Sequence, residues 1–333
     1  MPKTIEQIAE HLALSVTTVR LVLSGKAEKY RISVKTQKRI QEYVQQHGYT
    51  LNYAARSLKL NRTDTLALIV PNISNAFFAT LVEKLEKRCR RSGYQLTISC
   101  SYQDVEYENK LVRAMINRNV DGLFIVPSSL ENQLHHQNTV QKPLVLLDQN
   151  FKTGELPLVE SNNVAGGEVL ATQMLTNHET PLWFLLGDFA LPSIIDRFQG
   201  YLHALQKQQI HHQNWVRIGT ANTRECGFSL MTSLLVEHGV PHAFIASSIP
   251  MLEGAVNAIR AYSGSIPAEI NMGTFDEHPM LDFLPNNVWS MQQDEDAWAE
   301  NAFALMQKAI NGEAEHSGIK VDMTLIQRVR QRG

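Results

Sequence analysis

The chain has 333 residues, of which 44% are hydrophobic and 19% are charged, and its formal net charge is −2. This length and composition are sufficient for two or three folded domains with hydrophobic cores, and they exclude a largely disordered chain. Three cysteines, Cys89, Cys100 and Cys226, are far apart and form no CxxC pair. Their spacing argues against a disulfide framework or a structural zinc site and is typical of a reducing compartment.

The longest apolar runs, such as "LALIV" and "GLFIV", have the length of strands. They are too short to span a bilayer, so no membrane association is expected. The N-terminal "MPKTIEQIAEHLAL" contains acidic residues and no continuous apolar run, which differs from a secretory signal. We therefore expect a cytoplasmic protein.

The charge is distributed unevenly along the chain. Residues 1–62 contain 11 Lys and Arg against four Glu, which gives +7, and the remainder has a net charge of −9. A basic segment on an acidic body is typical of proteins that bind polyanions, because each phosphate contact releases counterions. A solubilising surface is the alternative that charge alone leaves open.

The basic segment begins with an amphipathic helical pattern. Apolar residues at positions 5, 8, 9 and 12 share one face of a helix, and Thr4 is placed as its N-cap. After a break at residues 13–15, Ser15 caps a second helix. Its predicted inner face contains Val19, Val22 and Leu23, and its outer face contains Val16, Thr17 and Arg20.

Two short helices joined by about three residues are typical of the helix-turn-helix motif, in which the second helix lies in the major groove. Val16 and Thr17 are small enough to let the helix approach the bases, and Arg20 is long enough to reach a guanine or a phosphate. A small helical bundle used for protein contacts is the alternative, which the positive charge disfavours.

A third helix is predicted from about Ser33, with Val34, Ile40, Tyr43 and Val44 facing inward. The Lys- and Arg-rich loop before it is predicted to contact phosphates. The residues of this segment predicted to contact DNA are Thr4, Ser15, Val16, Thr17, Thr18, Arg20, Lys26, Lys29, Tyr30 and Arg31.

From Thr65 onward, apolar runs alternate with helical patterns. One series comprises "TLALIV", "YQLTIS", "GLFIV" and "PLVLLD", and a second comprises "PLWFLL", "WVRIG", "AFIAS", "INMGTF" and "VWSMQQ". Repeated βα units predict two lobes, each built on a doubly wound parallel sheet. Ligands of such sheets bind beyond the carboxyl ends of the strands.

Polar and aromatic residues follow several of these predicted strands. They are Asn72, Ser74, Asn75, Phe77 and Phe78 after the first strand, then Asp148, Asp276 and Gln293 after later ones. Amide groups beside an aromatic ring suit a sugar, which has hydroxyl edges and an apolar face. An ordinary loop cap or turn residue is the alternative for each of them.

The segments "TIEQIAEHLALSVTTVRLVLSG" and "RISVKTQKRIQEYVQQHGYTLNYAARSL" resemble the head of the LacI/GalR family of bacterial transcriptional repressors, and the similarity continues through the chain. The resemblance implies a hinge helix that folds on operator DNA, with Leu58 wedged into the minor groove. Its other implied contacts are Asn52, Ala55 and Arg56. Ala13 replaces the glycine usual in the turn, and Leu51 replaces the proline usual before the hinge.

The same resemblance implies a helix-turn-helix head at 1–50, a hinge and linker at 51–62, and an effector-binding and dimerisation body at 63–333. The body is expected to have the α/β fold of periplasmic binding proteins, with two lobes made discontinuous by chain crossovers and the effector between them. A homodimer would bind a near-palindromic, double-stranded operator. Nothing after Lys320 shows a leucine heptad, so no tetramerising tail is expected.

Family motifs extend the set of effector residues. "DRFQGY" is similar to the family's Arg-x-x-Gly segment and implies sugar contacts by Arg197 and its neighbour Asp196, and Asn222 and Ser247 are similar to further cleft positions. The insertion "GKAEKYRIS" and segments such as "TFDEHPMLDFL" resemble the sucrose and fructose repressor branch. The implied effector is a fructose-containing sugar, and a phosphate on it stays open because Arg197 suits an anion as well as hydroxyls.

Two alternatives stay open: a broader catabolite repressor/activator that responds to fructose phosphates, and a sugar receptor without a DNA function. The chain contains no GxxxxGK[ST], GxSxG or HExxH motif, so neither an enzyme, a catalytic residue nor a cofactor is expected. The pairs His135–His136 and His211–His212 are expected in surface segments, with no metal bound.

Overall fold

A computed structural model of the chain describes residues 3–49, 62–151, 156–177, 181–210, 215–313 and 318–329. Two compact units are present, Met1–Thr63 and Asp64–Gly333. The predicted hinge residues Asn52, Ala55, Arg56 and Leu58 lie outside the described residues, as does Leu51, so the predicted hinge helix stays a prediction.

The first unit contains three helices, α1 (Ile5–Leu12), α2 (Val16–Leu23) and α3 (Val34–His47). Their buried side chains form one small core, which comprises Ile8, Ala9, Val19, Val22, Ala27, Ile40 and Tyr43. The backbone N–H of Lys3 donates to the Gly48 carbonyl at 3.1 Å, which joins the start of this unit to the end of α3. The spacing of apolar residues along the first two helices is thus explained by burial in a shared core.

Each of these helices begins at a hydroxyl N-cap, as predicted for Thr4 and Ser15. Thr4 and Gln7 form a capping box, in which each side chain accepts a hydrogen bond from the backbone N–H of the other. Ser15 Oγ accepts from the Thr18 N–H at 3.1 Å, and Ser33 Oγ accepts from the Thr36 N–H at 3.2 Å. These bonds satisfy N–H groups that the first helical turn leaves without partners.

Two predicted side-chain orientations are wrong. Val34 is 79% exposed, because it lies six residues before Ile40 and therefore about 240° away around the helix. Val16 is half-buried against the head core, since it lies one turn before the fully buried Val19. Thr17 and Arg20 are exposed, as predicted.

Ala13 ends α1 in the left-handed backbone conformation, with φ of 53°. This is the turn position at which the resembling family usually has glycine, and a Cβ atom makes the conformation unfavourable. We predict that Ala13→Gly stabilises the helix-turn-helix unit by about 1 kcal/mol. Hydrogen exchange of the α1 and α2 amides in the full chain measures this effect.

Gln41→Gly is the control for that substitution. Gln41 is exposed in the interior of α3, where glycine is expected to destabilise the helix by a similar amount. Faster exchange in Ala13→Gly than in the unmodified protein would contradict the expected relief of strain.

The second unit contains two six-stranded sheets. Its strands, in chain order, are β1 (Thr65–Val70), β2 (Gln95–Cys100), β3 (Gly122–Ile125), β4 (Leu144–Leu147), β5 (Leu158–Ser161), β6 (Leu182–Asp188), β7 (Val216–Gly219), β8 (Ala243–Ala246), β9 (Asn271–Phe275), β10 (Asn287–Gln292), β11 (Gly318–Val321) and β12 (Thr324–Arg328). The strand orders are β11-β5-β4-β3-β1-β2 and β12-β10-β9-β8-β6-β7. All neighbouring strands are parallel except β12, which is antiparallel to β10.

Helices cover these sheets. They are α4 (Ala76–Arg91), α5 (Val105–Asn117), α6 (Leu130–Thr139), α7 (Asn163–Asn177), α8 (Pro192–Lys207), α9 (Arg224–His238), α10 (Ile249–Ser263) and α11 (Glu295–Ile310), with a 3₁₀ helix at Pro279–Phe283. The central strands β3, β4 and β8 are buried along their whole length. Continuous burial explains why their sequences are uninterrupted apolar runs rather than alternating ones.

The chain passes between the two sheets after β5, after β10 and between β11 and β12. Helix α7 follows β5 of the first sheet but packs into the core of the second, where Leu170 and Met174 lie with Phe184. Helix α11 follows β10 of the second sheet and completes the first core with Trp298 and Phe303. The predicted discontinuity of the lobes is confirmed.

None of the helices among the described residues has both the length and the apolar character that a membrane span requires.

Candidate functional site

A cavity of about 780 Å³, including its open mouth, lies between the two lobes. Its walls come from segments that follow the carboxyl ends of strands in both sheets, which is where doubly wound folds bind ligands. The predicted cleft residues that line it are Asn72, Asn75, Phe77, Phe78, Asp148, Arg197, Asn222, Asp276 and Gln293.

Three predicted residues do not line the cavity. Ser74 is exposed, and its hydroxyl donates to Asn72 Oδ1 at 2.9 Å. Ser247 is fully buried, and its Oγ accepts from the Gly187 N–H at 3.0 Å. Asp196 is buried on α8, but it precedes Arg197 by one residue and therefore lies about 100° away around the helix.

Arg197 is held by contacts with three separate parts of the body. Its Nε donates to Asn163 Oδ1 at 2.9 Å, at the start of α7. Its Nη1 donates to the Ser247 carbonyl at 2.6 Å, just after β8, and its guanidinium lies 4.5 Å from the centre of the Phe275 ring at the end of β9. Both hydrogen bonds and the ring contact orient the guanidinium before any ligand binds.

Glycines let α7 and α8 approach closely enough for this arrangement. A Cβ atom at Gly200 would lie 2.1 Å from the Val164 carbonyl oxygen, and one at Gly167 would lie 2.3 Å from the Arg197 carbonyl oxygen. Any larger residue would push the helices apart and move Asn163 away from Arg197. This close packing explains the glycine of the Arg-x-x-Gly segment in physical terms.

Asp148 and Asp276 occupy equivalent places in the two lobes. Asp148 follows β4 and Asp276 follows β9, and each of these strands is third in its sheet order. Both residues are in the left-handed conformation, with φ of 63° and 72°. Their backbones are fixed by N–H bonds to the Val159 carbonyl at 2.9 Å and the Met291 carbonyl at 3.0 Å. Strained residues of this kind persist where the surrounding structure determines them and often mark ligand sites.

Burial raises the pKa of the Asp148 carboxyl to about 6. The positive charge of Arg197 lowers that pKa, and the negative charge of Asp276 raises it. The effect of Arg197 on this pKa is larger than that of Asp276, so burial of the carboxyl, and not repulsion between the two carboxylates, is the main cause of the raised pKa.

A chain of hydrogen bonds joins two of the three crossovers to the cavity residue Asp276. Trp298 Nε1 donates to Ser161 Oγ at 3.1 Å, Ser161 Oγ donates to Gln293 Oε1, and Gln293 Nε2 donates to Asp276 Oδ1. Ser161 ends β5, and Gln293 directly follows β10. A ligand that contacts Asp276 is thus connected by hydrogen bonds to two of the three segments that link the lobes.

Several cavity residues were not predicted from the sequence. The polar ones are Gln103, Ser128, Gln149, Ser193, Thr223 and Ser248. Gln149 Nε2 donates to Ser193 Oγ at 3.0 Å, which is a direct hydrogen bond between the lobes. Their positions in the sequence could have identified them. Gln149 and Ser128 closely follow predicted strands, and Ser193 lies near the start of the helix that contains Arg197.

His136 is buried, with 1% of its surface exposed, so its predicted surface location is wrong. Its Nε2 lies 2.8 Å from Oε1 of the fully buried Glu108, which also accepts from Asn132 Nδ2 at 3.0 Å and from the Ser128 N–H at 2.8 Å. This cluster fixes the cavity residue Ser128 to α5. His211 and His212 lie outside the described residues, and the structure groups no three potential metal ligands within the part of the chain it describes.

The first unit places part of its predicted DNA-contacting set on its surface. Thr17, Arg20, Lys26, Lys29, Tyr30 and Arg31 are exposed. Thr18 is half-buried, and its hydroxyl lies 2.8 Å from that of Ser15, so these two side chains bond each other. Residues 3–49 contain eight Lys and Arg against four Glu, which gives this surface an excess of positive charge.

A basic three-helix unit with a helix-turn-helix, in one chain with a two-lobed body that encloses a polar cavity, defines the class of ligand-responsive DNA-binding regulators. Comparisons with known proteins agree. The family model described as a periplasmic binding protein domain matches residues 66–314. The sucrose operon repressor of Klebsiella pneumoniae is 32% identical over 314 residues, which cover 93% of each chain.

Solved structures of transcriptional regulators also resemble this chain. The Cra transcriptional dual regulator from Pseudomonas putida in complex with fructose 1-phosphate is 27% identical, with a TM-score of 0.73 over 81% of this chain and all of that one. The lac repressor dimer bound to operator and the anti-inducer ONPF matches 98% of each chain with a TM-score of 0.85, and at 19% identity it shows the fold alone. The chain belongs to the LacI/GalR family of transcriptional regulators. The prediction of a regulator rather than an enzyme is confirmed.

The raised pKa of Asp148 gives a testable pH dependence. Because the folded state holds this proton more tightly than the unfolded state, the contribution to stability is present at acidic pH and is lost as pH rises through about 6. We predict that Asp148→Asn gains about 2 kcal/mol in unfolding free energy relative to the unmodified protein between pH 4 and pH 7. Urea unfolding at both pH values measures the difference.

Asparagine is isosteric with aspartate and tolerates the left-handed conformation, so the backbone should be preserved. Asp64→Asn is the matched control, because Asp64 also has a positive φ, of 54°, and does not line the cavity. A stability difference in Asp148→Asn that does not change with pH would show that Asp148 titrates normally.

Proposed function

We propose that this protein is a sequence-specific transcriptional repressor of a sugar-utilisation operon of the sucrose or fructose type, released from its operator by a fructose-containing sugar or sugar phosphate bound between the lobes. The observation that most supports the proposal is the cavity itself. Residues from both lobes, and Gln293 from the crossover after β10, line it together with Arg197, Asp148 and Asp276, so a ligand bound there contacts both lobes.

On the DNA side, α2 is the proposed recognition helix. Thr17 and Arg20 are exposed and three residues apart on this helix, which suits contact with base edges and phosphates in the major groove. Lys26, Lys29 and Arg31 in the following loop are proposed to contact phosphates. A homodimer would place two such helices on the half-sites of a near-palindromic operator in the cytoplasm. Asn52, Ala55, Arg56 and Leu58 are the proposed hinge contacts, with Leu58 opening the minor groove.

On the effector side, the cavity suits a sugar. Asn72, Asn222 and Gln293 supply amide groups, and Phe77 and Phe78 supply aromatic surface. Sugars present hydroxyl edges and apolar ring faces, which such a mixture binds. The fructose-type identity is supported by the relatives: one is named a sucrose operon repressor, and one is solved in complex with fructose 1-phosphate.

The two sites are proposed to be linked through the arrangement of the lobes. An effector that bridges Asp148 in one lobe and Arg197 in the other favours one arrangement, and the operator favours another. Binding of either then weakens binding of the other, by a coupling free energy of about 1–3 kcal/mol in typical cases.

The proposal is tested by fluorescence anisotropy of the pure protein on DNA taken from upstream of its neighbouring genes. We expect tight binding at fixed salt and release by sucrose, fructose or a fructose phosphate. Binding that no such sugar reverses would remove the effector assignment, and no binding even at low salt would remove the repressor assignment.

In the same assay, Arg20→Ala is expected to weaken operator binding at least about 10-fold and to relax sequence preference, because it removes a base or phosphate contact worth about 1–3 kcal/mol. Sugar binding measured by calorimetry should be unchanged. Lys38→Ala is the matched control, since it removes one positive charge from an exposed ion pair with Glu42 on α3. Equal loss of sequence preference in both variants would contradict a recognition role for Arg20.

Arg197→Lys is expected to retain operator binding and to lose at least about 10-fold in effector affinity. Lysine keeps the charge but cannot reproduce the two oriented hydrogen bonds and the stacked guanidinium plane. Arg217→Lys is the matched control: Arg217 lies 4.8 Å from the Trp183 ring centre and pairs with Glu237 away from the cavity. Unchanged release of Arg197→Lys by the effector would contradict the assignment.

A further inference from the structure

We propose that the effector of this protein is an uncharged sugar and that the cavity selects against phosphorylated sugars. This inference rests on the proposed function and narrows the effector class that it leaves open. It follows from the charges of the cavity wall and from the hydrogen-bonding capacity that the wall leaves for a ligand.

The cavity wall has more negative than positive side chains. Among the described residues that line it, Asp148 and Asp276 are the carboxylates and Arg197 is the one cationic side chain, which gives a formal charge of −1 before any ligand enters. A sugar phosphate brings a further charge of about −1.5 to −2 at neutral pH. In a cavity largely walled by protein, solvent screens that added charge less than bulk water does, so the added charge opposes binding.

The carboxylates offer acceptors that require donors from the ligand. One oxygen of Asp148 accepts from Gln149 Nε2 at 2.6 Å, and one oxygen of Asp276 accepts from Gln293 Nε2. Among the described residues, the second oxygen of each carboxylate accepts no hydrogen bond from the protein. Sugar hydroxyls donate hydrogen bonds, whereas a phosphate dianion only accepts them. The two free oxygens therefore match a polyol and repel a phosphate.

Two further polar atoms in the wall are incompletely bonded. Asn222 Oδ1 and Ser248 Oγ are buried and have no hydrogen-bond partner within the part of the chain that the structure describes. The amide oxygen needs a donor, and the hydroxyl can donate or accept. Neutral groups of this kind suit hydroxyls, and neither adds the positive charge that a phosphate site needs.

The guanidinium of Arg197 already donates hydrogen bonds to the protein. Its Nε and Nη1 donate to Asn163 and to the Ser247 carbonyl. Among the described residues only Nη2 of the guanidinium has no protein partner. A phosphate is usually held by a fully available guanidinium or by several cations, whereas this wall supplies one guanidinium that is already partly bonded to the protein.

The N-termini of helices at the cavity contribute partial positive charge, which opposes the negative charge of the carboxylates. Helices α4, α8, α9 and α10 begin in segments that line it, and a helix N-terminus is equivalent to about half a positive charge. Two of these ends are already capped, by Asn75 Oδ1 and Thr223 Oγ1. The two remaining ends add about one positive charge, which together with Arg197 balances the two carboxylates. The wall that the described residues form is therefore close to neutral and has no positive excess that would attract a phosphate.

The state of Asp148 agrees with this reasoning. Burial raises its pKa to about 6 even though the positive charge of Arg197 lowers that pKa, and the negative charge of Asp276 adds to the rise. A phosphate nearby would raise the pKa further and would oppose ionisation of a group that is otherwise charged at neutral pH.

The test is calorimetry of the full chain at pH 7.5 with two pairs of probes: fructose with fructose 1-phosphate, and sucrose with sucrose 6-phosphate. In every pair that shows binding, we expect the neutral member to bind at least about 10-fold tighter. Equal or tighter binding of a phosphorylated member would overturn the inference, and so would the absence of binding by all four sugars.

Asp148→Asn removes one repelling charge and keeps the side-chain shape. It should shift the ratio of affinities toward the phosphorylated member by about 10-fold, whereas the matched variant Asp64→Asn should leave the ratio unchanged. An unshifted ratio in Asp148→Asn would overturn the electrostatic explanation.

Operator anisotropy with the same four sugars separates this inference from the proposed function. Operator binding that is released only by a phosphorylated sugar would overturn the inference and leave the repressor assignment standing. Preferential calorimetric binding of a neutral sugar by a protein that binds no operator would leave the inference standing and overturn the repressor assignment.

Discussion

The ligand cavity of the body depends on the contacts that hold the Arg197 side chain between three segments of the chain. Asn163 at the first crossover, the Ser247 carbonyl after β8 and the Phe275 ring after β9 fix the guanidinium at the cavity. The close approach of α7 and α8 at glycine positions makes these contacts possible. Asn163 lies at the start of α7, directly after the crossover that follows β5. The positive charge of Arg197 is therefore bonded to a segment that connects the lobes.

Two carboxylates, one from each lobe, also line the cavity. Asp148 and Asp276 are buried carboxylates in left-handed conformations at equivalent strand ends, an arrangement that lowers stability in the absence of a ligand. Hydrogen bonds through Gln293 and Ser161 extend from Asp276 to two of the three crossovers. Asp276 thus combines a strained backbone, a buried charge and a hydrogen-bonded link to segments that connect the lobes. A ligand that binds there can alter the equilibrium between two arrangements of the lobes.

Much of this architecture was predictable. Uninterrupted apolar runs indicated buried parallel strands, and polar residues after those runs indicated the cavity, because strand carboxyl ends converge at one edge of a sheet. Predictions failed where a side chain's surroundings came from distant segments. Val16 packs against a core that α1 and α3 complete, and the buried His136 bonds to Glu108, which lies 28 residues earlier.

The sequence by itself determined most of the helices and strands, the division into a basic head and an α/β body, the family and most of the polar residues at the strand ends. These follow from local periodicity, charge and motif spacing, which need no knowledge of distant contacts. Only the tertiary structure decided which of those residues share the cavity, that Gln149 and Ser193 bond across the lobes, and that a single cation faces two carboxylates among the described lining residues. Such facts depend on the distances between segments remote in the chain, which the packing of the two sheets and their crossovers sets.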